Sequence, residues 1–126
     1  MLSIPGQVKI FLALEPADMR QGFDRLAARV AQTLQADPLS GHLFVFRNRR
    51  ADRVKLLYWD GDGYALWYKR LEAGTFRFPT ASQDQVSLTI SAADWTMLLD
   101  GVDLSSVRRG KRYRRAAPRE LAAAAG

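Results

Sequence analysis

The stretch FRNRRADRVKLLYWDGDGYALWYKRLEAGTFRFP, residues 46–79, decides the fold of this 126-residue chain. Residues 53–59 and 64–71 alternate strong β formers with other side chains, and a similar run precedes them at residues 42–47. The links between these runs, NRRAD and DGDG, are short enough for antiparallel hairpins. The stretch therefore predicts three consecutive strands joined by two tight turns.

Two helices are predicted outside this stretch. The first is long, because Asp18 and Gln21 resemble a capping box, an apolar stripe of helical period follows, and Pro38 forces an end. The second is short, beginning at Ser91 and ending near Gly101. Both have one apolar face with which to cover a sheet.

Residues 7–14 and 85–90 are the remaining predicted strands. The pattern as a whole predicts an α+β fold. Its antiparallel β-sheet meander has the long N-terminal helix and the short C-terminal helix packed on one face, followed by a basic C-terminal tail. One domain is expected over residues 1–107, with a disordered tail over residues 108–126.

Several classes of site are excluded by composition. The chain has no cysteine, which excludes disulfides, iron–sulfur clusters and thiolate zinc sites, and His42 is its single histidine. No cofactor and no metal site are therefore predicted. The sequence has neither an apolar run long enough for a membrane span nor a secretory signal pattern, so a cytoplasmic protein is expected.

The net charge of +6 lies entirely in the C-terminal tail. Residues 108–126 hold seven Arg and Lys against Glu120, which leaves twelve basic and twelve acidic residues in the rest of the chain. Basic arms on neutral domains commonly bind nucleic acid, although such a tail can also serve only solubility. The tail residues predicted to contact DNA are Arg108, Arg109, Lys111, Arg112, Arg114 and Arg115.

A second basic feature is the first hairpin. Arg47, Arg49 and Arg50 surround its tip, where three arginines in four residues have no packing purpose, so the tip is a candidate contact for phosphate. On the next strand Arg53 and Lys55 share one face with an aromatic ring, as in sheets that bind single strands. The alternative for this strand is a sheet whose rings face the helix while its charges face water.

Aromatic residues suggest a different function. Trp59, Tyr64, Trp67 and Tyr68 are of the types that dominate protein–protein binding hot spots. These four are the predicted partner-binding residues. The alternative function is therefore a docking module for another protein or for a second copy, without direct DNA binding.

The DGDG turn suggests a metal site at first sight. A calcium loop starting at Asp60 would need an oxygen ligand, a glycine and a glutamate at its fifth, sixth and twelfth positions, which hold tyrosine, alanine and leucine. Four carboxylates could instead supply a two-metal nuclease site: Asp18, Asp60, Asp62 and Glu72. Nothing in their spacing forces them together, so no enzyme is predicted and a metal-dependent nuclease is a minor alternative.

Four runs resemble a known family: PADMRQGFDRLA (16–27), DPLSGHLFVFRNRR (37–50), VKLLYWDGDGYALWYKRLEAGTF (54–76) and WTMLLDGVD (95–103). Their order and spacing are similar to those of the TnpB accessory proteins. These are encoded by the second reading frame of bacterial insertion sequences of the family numbered sixty-six. The resemblance covers about residues 8–104, so the basic tail lies outside it.

The resemblance implies a small protein, needed for efficient transposition, that works with a separate and larger transposase. That transposase carries the acidic residues for strand transfer, so this chain need not be catalytic. No site residues are implied. Combined with the basic tail, the resemblance predicts a non-catalytic accessory protein that contacts DNA, either at element ends or non-specifically, and assists the transposase.

Overall fold

Five strands form one sheet in the order β4-β3-β2-β1-β5. This computed structural model describes residues 7–80 and 84–104, so the predicted tail lies outside the described residues. The elements are β1 (Ile10–Ala13), α1 (Phe23–Gln32), β2 (Leu43–Arg47), β3 (Arg53–Trp59), β4 (Tyr64–Arg70), β5 (Ser87–Ile90) and α2 (Ala92–Leu99). The predicted α+β class is confirmed.

The sheet is mixed, so the predicted antiparallel meander is wrong for β1 and β2. These two strands run parallel, with Ile10 opposite Leu43, and all other neighbours are antiparallel. The reason is α1, which returns the chain to the starting end of the sheet before β2 begins. The β2–β3–β4 meander is confirmed, with Trp59 opposite Tyr64 beside the DGDG turn.

The first helix is shorter than predicted. It has ten residues and begins at Phe23, with Gly22 at the N-cap position and no side-chain cap. The predicted capping box is wrong because the Asp18 carboxylate accepts hydrogen bonds from the backbone N–H and guanidinium of Arg20 instead. In the described part of the chain, no helix is long and apolar enough to cross a membrane.

The two helices cover opposite faces of the sheet, which corrects the prediction that they share one. Leu26 and Val30 of α1 pack in one buried cluster, whereas Trp95 and Leu98 of α2 pack in the other. The cause lies in β2, where residues 43–46 are all apolar and all buried. A strand that is apolar on both faces needs cover on both.

The predicted local signals around α2 and the second hairpin are confirmed. The Ser91 hydroxyl accepts a hydrogen bond from the Asp94 N–H at 3.0 Å and so caps α2. At the DGDG turn the Asp60 N–H donates to the Gly63 carbonyl at 2.8 Å, and Gly61 has φ +84°. Glycine adopts that left-handed conformation without strain.

Candidate nucleic-acid interface

Basic side chains collect at one end of the sheet. The strand directions place the carboxyl ends of β1, β2 and β4 there, together with the amino end of β3. We call this the basic end and define it by seven residues: exposed Arg49, Arg50, Lys69, Arg70 and Arg77, with half-buried Arg47 and Arg53. Four acidic residues of the described chain also lie there: Glu15, Asp52, Glu72 and Asp103, the last lining a groove with Arg47 and Arg77. The exposed Asp60 and Asp62 lie at the opposite end.

The tip of the first hairpin is held by hydrogen bonds among its own residues. The Asn48 side chain accepts from the Arg53 N–H at 3.0 Å and donates to the Asp52 carboxylate at 2.6 Å. That hydrogen bond lowers the pKa of Asp52. The Ala51 N–H donates to the Asn48 carbonyl at 3.0 Å. Since these bonds fix the backbone, the tip holds its exposed arginines in place without using their side chains.

Arg49 and Arg50 project from this tip into solvent. The Arg50 side chain is 83% exposed and lies 3.8 Å from Asp52, an ion pair that water screens strongly. Among the described residues, the guanidinium groups of Arg49 and Arg50 have no hydrogen-bond acceptor within bonding distance, so their donors remain available for phosphate oxygens.

The segment after β4 folds back against the tip and adds a residue that the sequence did not predict. The Phe76 N–H donates to the Ala51 carbonyl at 2.7 Å, which brings the exposed Arg77 beside the hairpin. The Arg77 carbonyl in turn accepts from the N–H of Leu104 at 3.4 Å. The described chain therefore ends beside the basic end.

Arg47 anchors the wall of an open groove of about 440 Å³. Its guanidinium donates to the Leu14 carbonyl at 2.8 Å and lies 5.5 Å from the centre of the Phe78 ring. Burial lowers the pKa of Arg47, and the neighbouring Arg49 charge adds to this. Because its donors already bind backbone carbonyls, Arg47 is less available to a ligand than Arg49 and Arg50.

Lys55 lies inside the fold. It is only 6% exposed, and its ammonium donates to the carbonyls of Met19 and Gln21, both at 2.7 Å. The ammonium also lies 4.7 Å from the centre of the Tyr68 ring. The geometry favours a structural role, in which Lys55 fastens the loop before α1 to the sheet. Arg53, two residues earlier, is nearer the surface and donates to the Tyr68 hydroxyl at 3.0 Å.

The four predicted partner-binding aromatics do not form one patch. Tyr64 packs on the α1 face, 5.2 Å from Trp59, and Trp67 packs on the α2 face, 6.0 Å from Trp95. Tyr68 is the exposed member, at 46%. Tyr64, Trp67 and Tyr68 all lie on β4, the strand at the edge of the sheet.

The four carboxylates of the nuclease alternative are not brought to one point. Asp60 and Asp62 lie at the turn end, whereas Glu72 pairs with Arg70 at the basic end at 3.0 Å. The Arg20 hydrogen bonds lower the pKa of Asp18 to about 2. Within residues 7–80 and 84–104, no three His, Asp or Glu side chains are grouped so as to hold a metal ion.

Comparison with known proteins gives one family. A family model described as IS66 Orf2 like protein matches residues 8–109. Two uncharacterised proteins of Sinorhizobium fredii are similar. The first, y4jC, is 40% identical over 102 residues, which is 81% of this chain and 86% of the relative. The second, y4hO, is 41% identical over 103 residues, which is 82% of this chain and 88% of the relative. No solved structure matches the chain.

Proposed function

The chain belongs to the IS66 Orf2-like family, which is associated with transposition, and from this premise we propose a non-catalytic accessory protein that contacts DNA beside a separate transposase. The observation that supports DNA contact is the excess of basic over acidic side chains at one end of the sheet, with Asp60 and Asp62 at the other. A domain polarised in this way approaches a polyanion with its basic end first.

The geometry of the basic end suits a phosphate backbone. Arg49 and Arg50 stand on a hairpin whose turn is held by its own hydrogen bonds, so they lose little backbone freedom on binding. Lys69 and Arg70 lie on the neighbouring strand, where Arg70 is directly opposite Arg53. Contacts of this kind position a protein on DNA without distinguishing bases, so the proposal assigns selection of the element ends to the transposase.

The described chain ends at the same surface. The Leu104 N–H donates to the Arg77 carbonyl, and Arg108 follows four residues later in the sequence. Four residues span at most about 14 Å, which is short enough for the tail and the basic end to reach one duplex. We propose that tail and basic end contact one duplex together.

We expect the double variant Arg49→Gln with Arg50→Gln to bind duplex DNA roughly ten- to a hundredfold more weakly at 0.1 M salt. Removing two phosphate contacts should also make the slope of log affinity against log salt shallower by about 2. Fluorescence anisotropy of a labelled duplex across a salt series measures both quantities.

The matched control is Asp60→Asn with Asp62→Asn, which raises the net charge by 2 at the opposite end of the sheet, whereas the double arginine variant lowers it by 2. At protein concentrations where the chain is monomeric, local contact predicts little change in the slope for this variant. If the two double variants shift affinity by equal and opposite amounts, only net charge matters, and the proposed contact at the basic end is wrong.

The non-catalytic proposal and the nuclease alternative differ in what they predict for Asp60 in the same turn. We expect no cleavage of duplex DNA in the presence of magnesium, and Asp60→Asn should leave both stability and DNA binding within error of the wild type. The reason is that the Asp60 N–H closes the turn and asparagine keeps that bond. Magnesium-dependent cleavage that Asp60→Asn abolishes would restore the nuclease alternative.

A further inference from the structure

The outer side of β4 is an open sheet edge. β4 is last in the strand order and pairs with β3 along its whole length, from Arg53 opposite Arg70 to Trp59 opposite Tyr64. No other described strand pairs with it. The far edge, β5, is only four residues long.

The hairpin register shows which backbone groups face outward. At one end of the β3–β4 ladder the Asp60 N–H donates a hydrogen bond to the Gly63 carbonyl. At the other end the Leu71 N–H donates to the Asp52 carbonyl. Because bonded and non-bonded positions alternate in an antiparallel pair, the odd-numbered residues of β4 bond to β3. The N–H and C=O groups of the even-numbered residues therefore point away from the sheet: Tyr64, Leu66, Tyr68 and Arg70.

This edge lacks most of the features that usually prevent pairing. Natural edge strands are commonly short, bulged, interrupted by proline or protected by charged side chains, and the charged residues of β4, Lys69 and Arg70, stand together at its carboxyl end. β4 has seven residues without a proline, and its register with β3 is unbroken. Such a strand is a template for a further antiparallel strand.

The charges at its two ends complement each other. Asp62 precedes the strand and Arg70 ends it. If two copies align antiparallel with Leu66 opposite Leu66, each Tyr64 lies opposite a Tyr68 and each Asp62 lies opposite an Arg70. A shift of the register by two residues towards the carboxyl end would instead place Asp62 opposite Glu72, which like charge disfavours.

We propose that β4 pairs with β4 of a second copy in this register, so that two five-stranded sheets become one continuous sheet of ten. The outward groups of Tyr64, Leu66 and Tyr68 then bond across a twofold axis. Antiparallel pairing places the two basic ends at opposite ends of the joined sheet, so the dimer presents two separate surfaces to DNA. The proposal does not depend on the proposed DNA binding. Its tests measure the mass of the protein in solution without DNA, so either proposal can fail alone.

The first test uses proline at an outward position in the full-length chain. Tyr68→Pro removes an N–H that points away from β3, so the β3–β4 ladder keeps its bonds. Tyr68→Thr is the matched control, because it removes the same side chain and keeps the N–H. Sedimentation equilibrium should show a wild-type dimer, a Tyr68→Thr dimer, and a dissociation constant about a hundredfold higher for Tyr68→Pro, which loses two symmetric hydrogen bonds.

The second test uses charge exchange and does not require proline to be tolerated. Asp62→Lys and Arg70→Glu each place like charges opposite each other in a homodimer, which should raise the dissociation constant about tenfold. In an equal mixture of the two variants, the heterodimer sets the introduced lysine opposite the introduced glutamate and the unchanged Arg70 opposite the unchanged Asp62. The mixture should therefore regain the wild-type dissociation constant.

Three results would overturn the proposal. The first is a wild-type chain that stays monomeric at about 100 μM, a concentration at which a micromolar dimer is nearly complete. The second is a dimer that a folded Tyr68→Pro variant leaves unchanged, which would place self-association on another surface. The third is a mixture of the two charge variants that stays as weak as either alone, which would exclude this register.

Discussion

Replacing the seven Arg and Lys residues after residue 107 with glutamine is expected to remove most of the DNA affinity of the full-length protein. If all seven reach phosphates, they contribute about −6 to the slope of log affinity against log salt on duplex DNA. The slope that remains would come from the basic end, with about −2 of it from Arg49 and Arg50. Anisotropy titrations from 50 to 200 mM salt measure this, because a slope of −6 or steeper changes affinity by about a thousandfold or more over that range.

The tail provides its own control. Residues 121–126 are uncharged, so deleting them shortens the chain without removing a phosphate contact. That deletion should leave affinity and slope unchanged. A neutralised tail that keeps the wild-type slope would contradict the prediction and would assign the charge excess to solubility alone.

Replacing Lys55 with methionine is expected to destabilise the domain by about 2–4 kcal/mol. The substitution removes the donor to the Met19 and Gln21 carbonyls. Each part-buried acceptor left without a partner costs about 1–3 kcal/mol, partly relieved if water enters. Methionine keeps most of the buried volume, so the effect reports the ammonium and not a cavity. Urea unfolding followed by circular dichroism measures the free energy of unfolding.

Arg53→Met is the matched control for Lys55→Met. Arg53 lies on the same strand and face, but its side chain bonds the hydroxyl of the exposed Tyr68, so its loss should cost under about 1 kcal/mol. If Lys55→Met leaves stability unchanged and weakens DNA binding instead, Lys55 is a DNA contact and its structural assignment fails.

The parts of the fold that the sequence predicts correctly depend on short-range signals. The two hairpins follow from alternation and turn residues, and α2 follows from the Ser91 cap. The parallel pairing of β1 with β2 is set by where α1 returns the chain, which no local pattern encodes. The capping box at Asp18 misleads for a different, local reason, because Arg20, two residues later, binds the carboxylate instead.

The candidate site shows the same division. Arg49 and Arg50 are predictable, since arginines at a hairpin tip have nothing to pack against. Strand alternation places Lys55 on a face but does not reveal that the loop before α1 covers it. Lys69 and Arg70 are not among the predicted site residues, although a hairpin register counted outward from the DGDG turn places Arg70 opposite Arg53. Arg77 gave no local signal, because its position depends on the segment after β4 folding back.

The most direct test of DNA contact at the basic end is a ¹H–¹⁵N spectrum of the full-length protein titrated with a short duplex. We expect the backbone signals of Arg49, Arg50, Arg70 and Arg77 to shift with increasing DNA. The signals of Gly41 and His42, which precede β2 at the opposite end of the sheet and lie away from the β4 edge, should stay in place. Shifts centred on these two residues, with none at the basic end, would contradict the account.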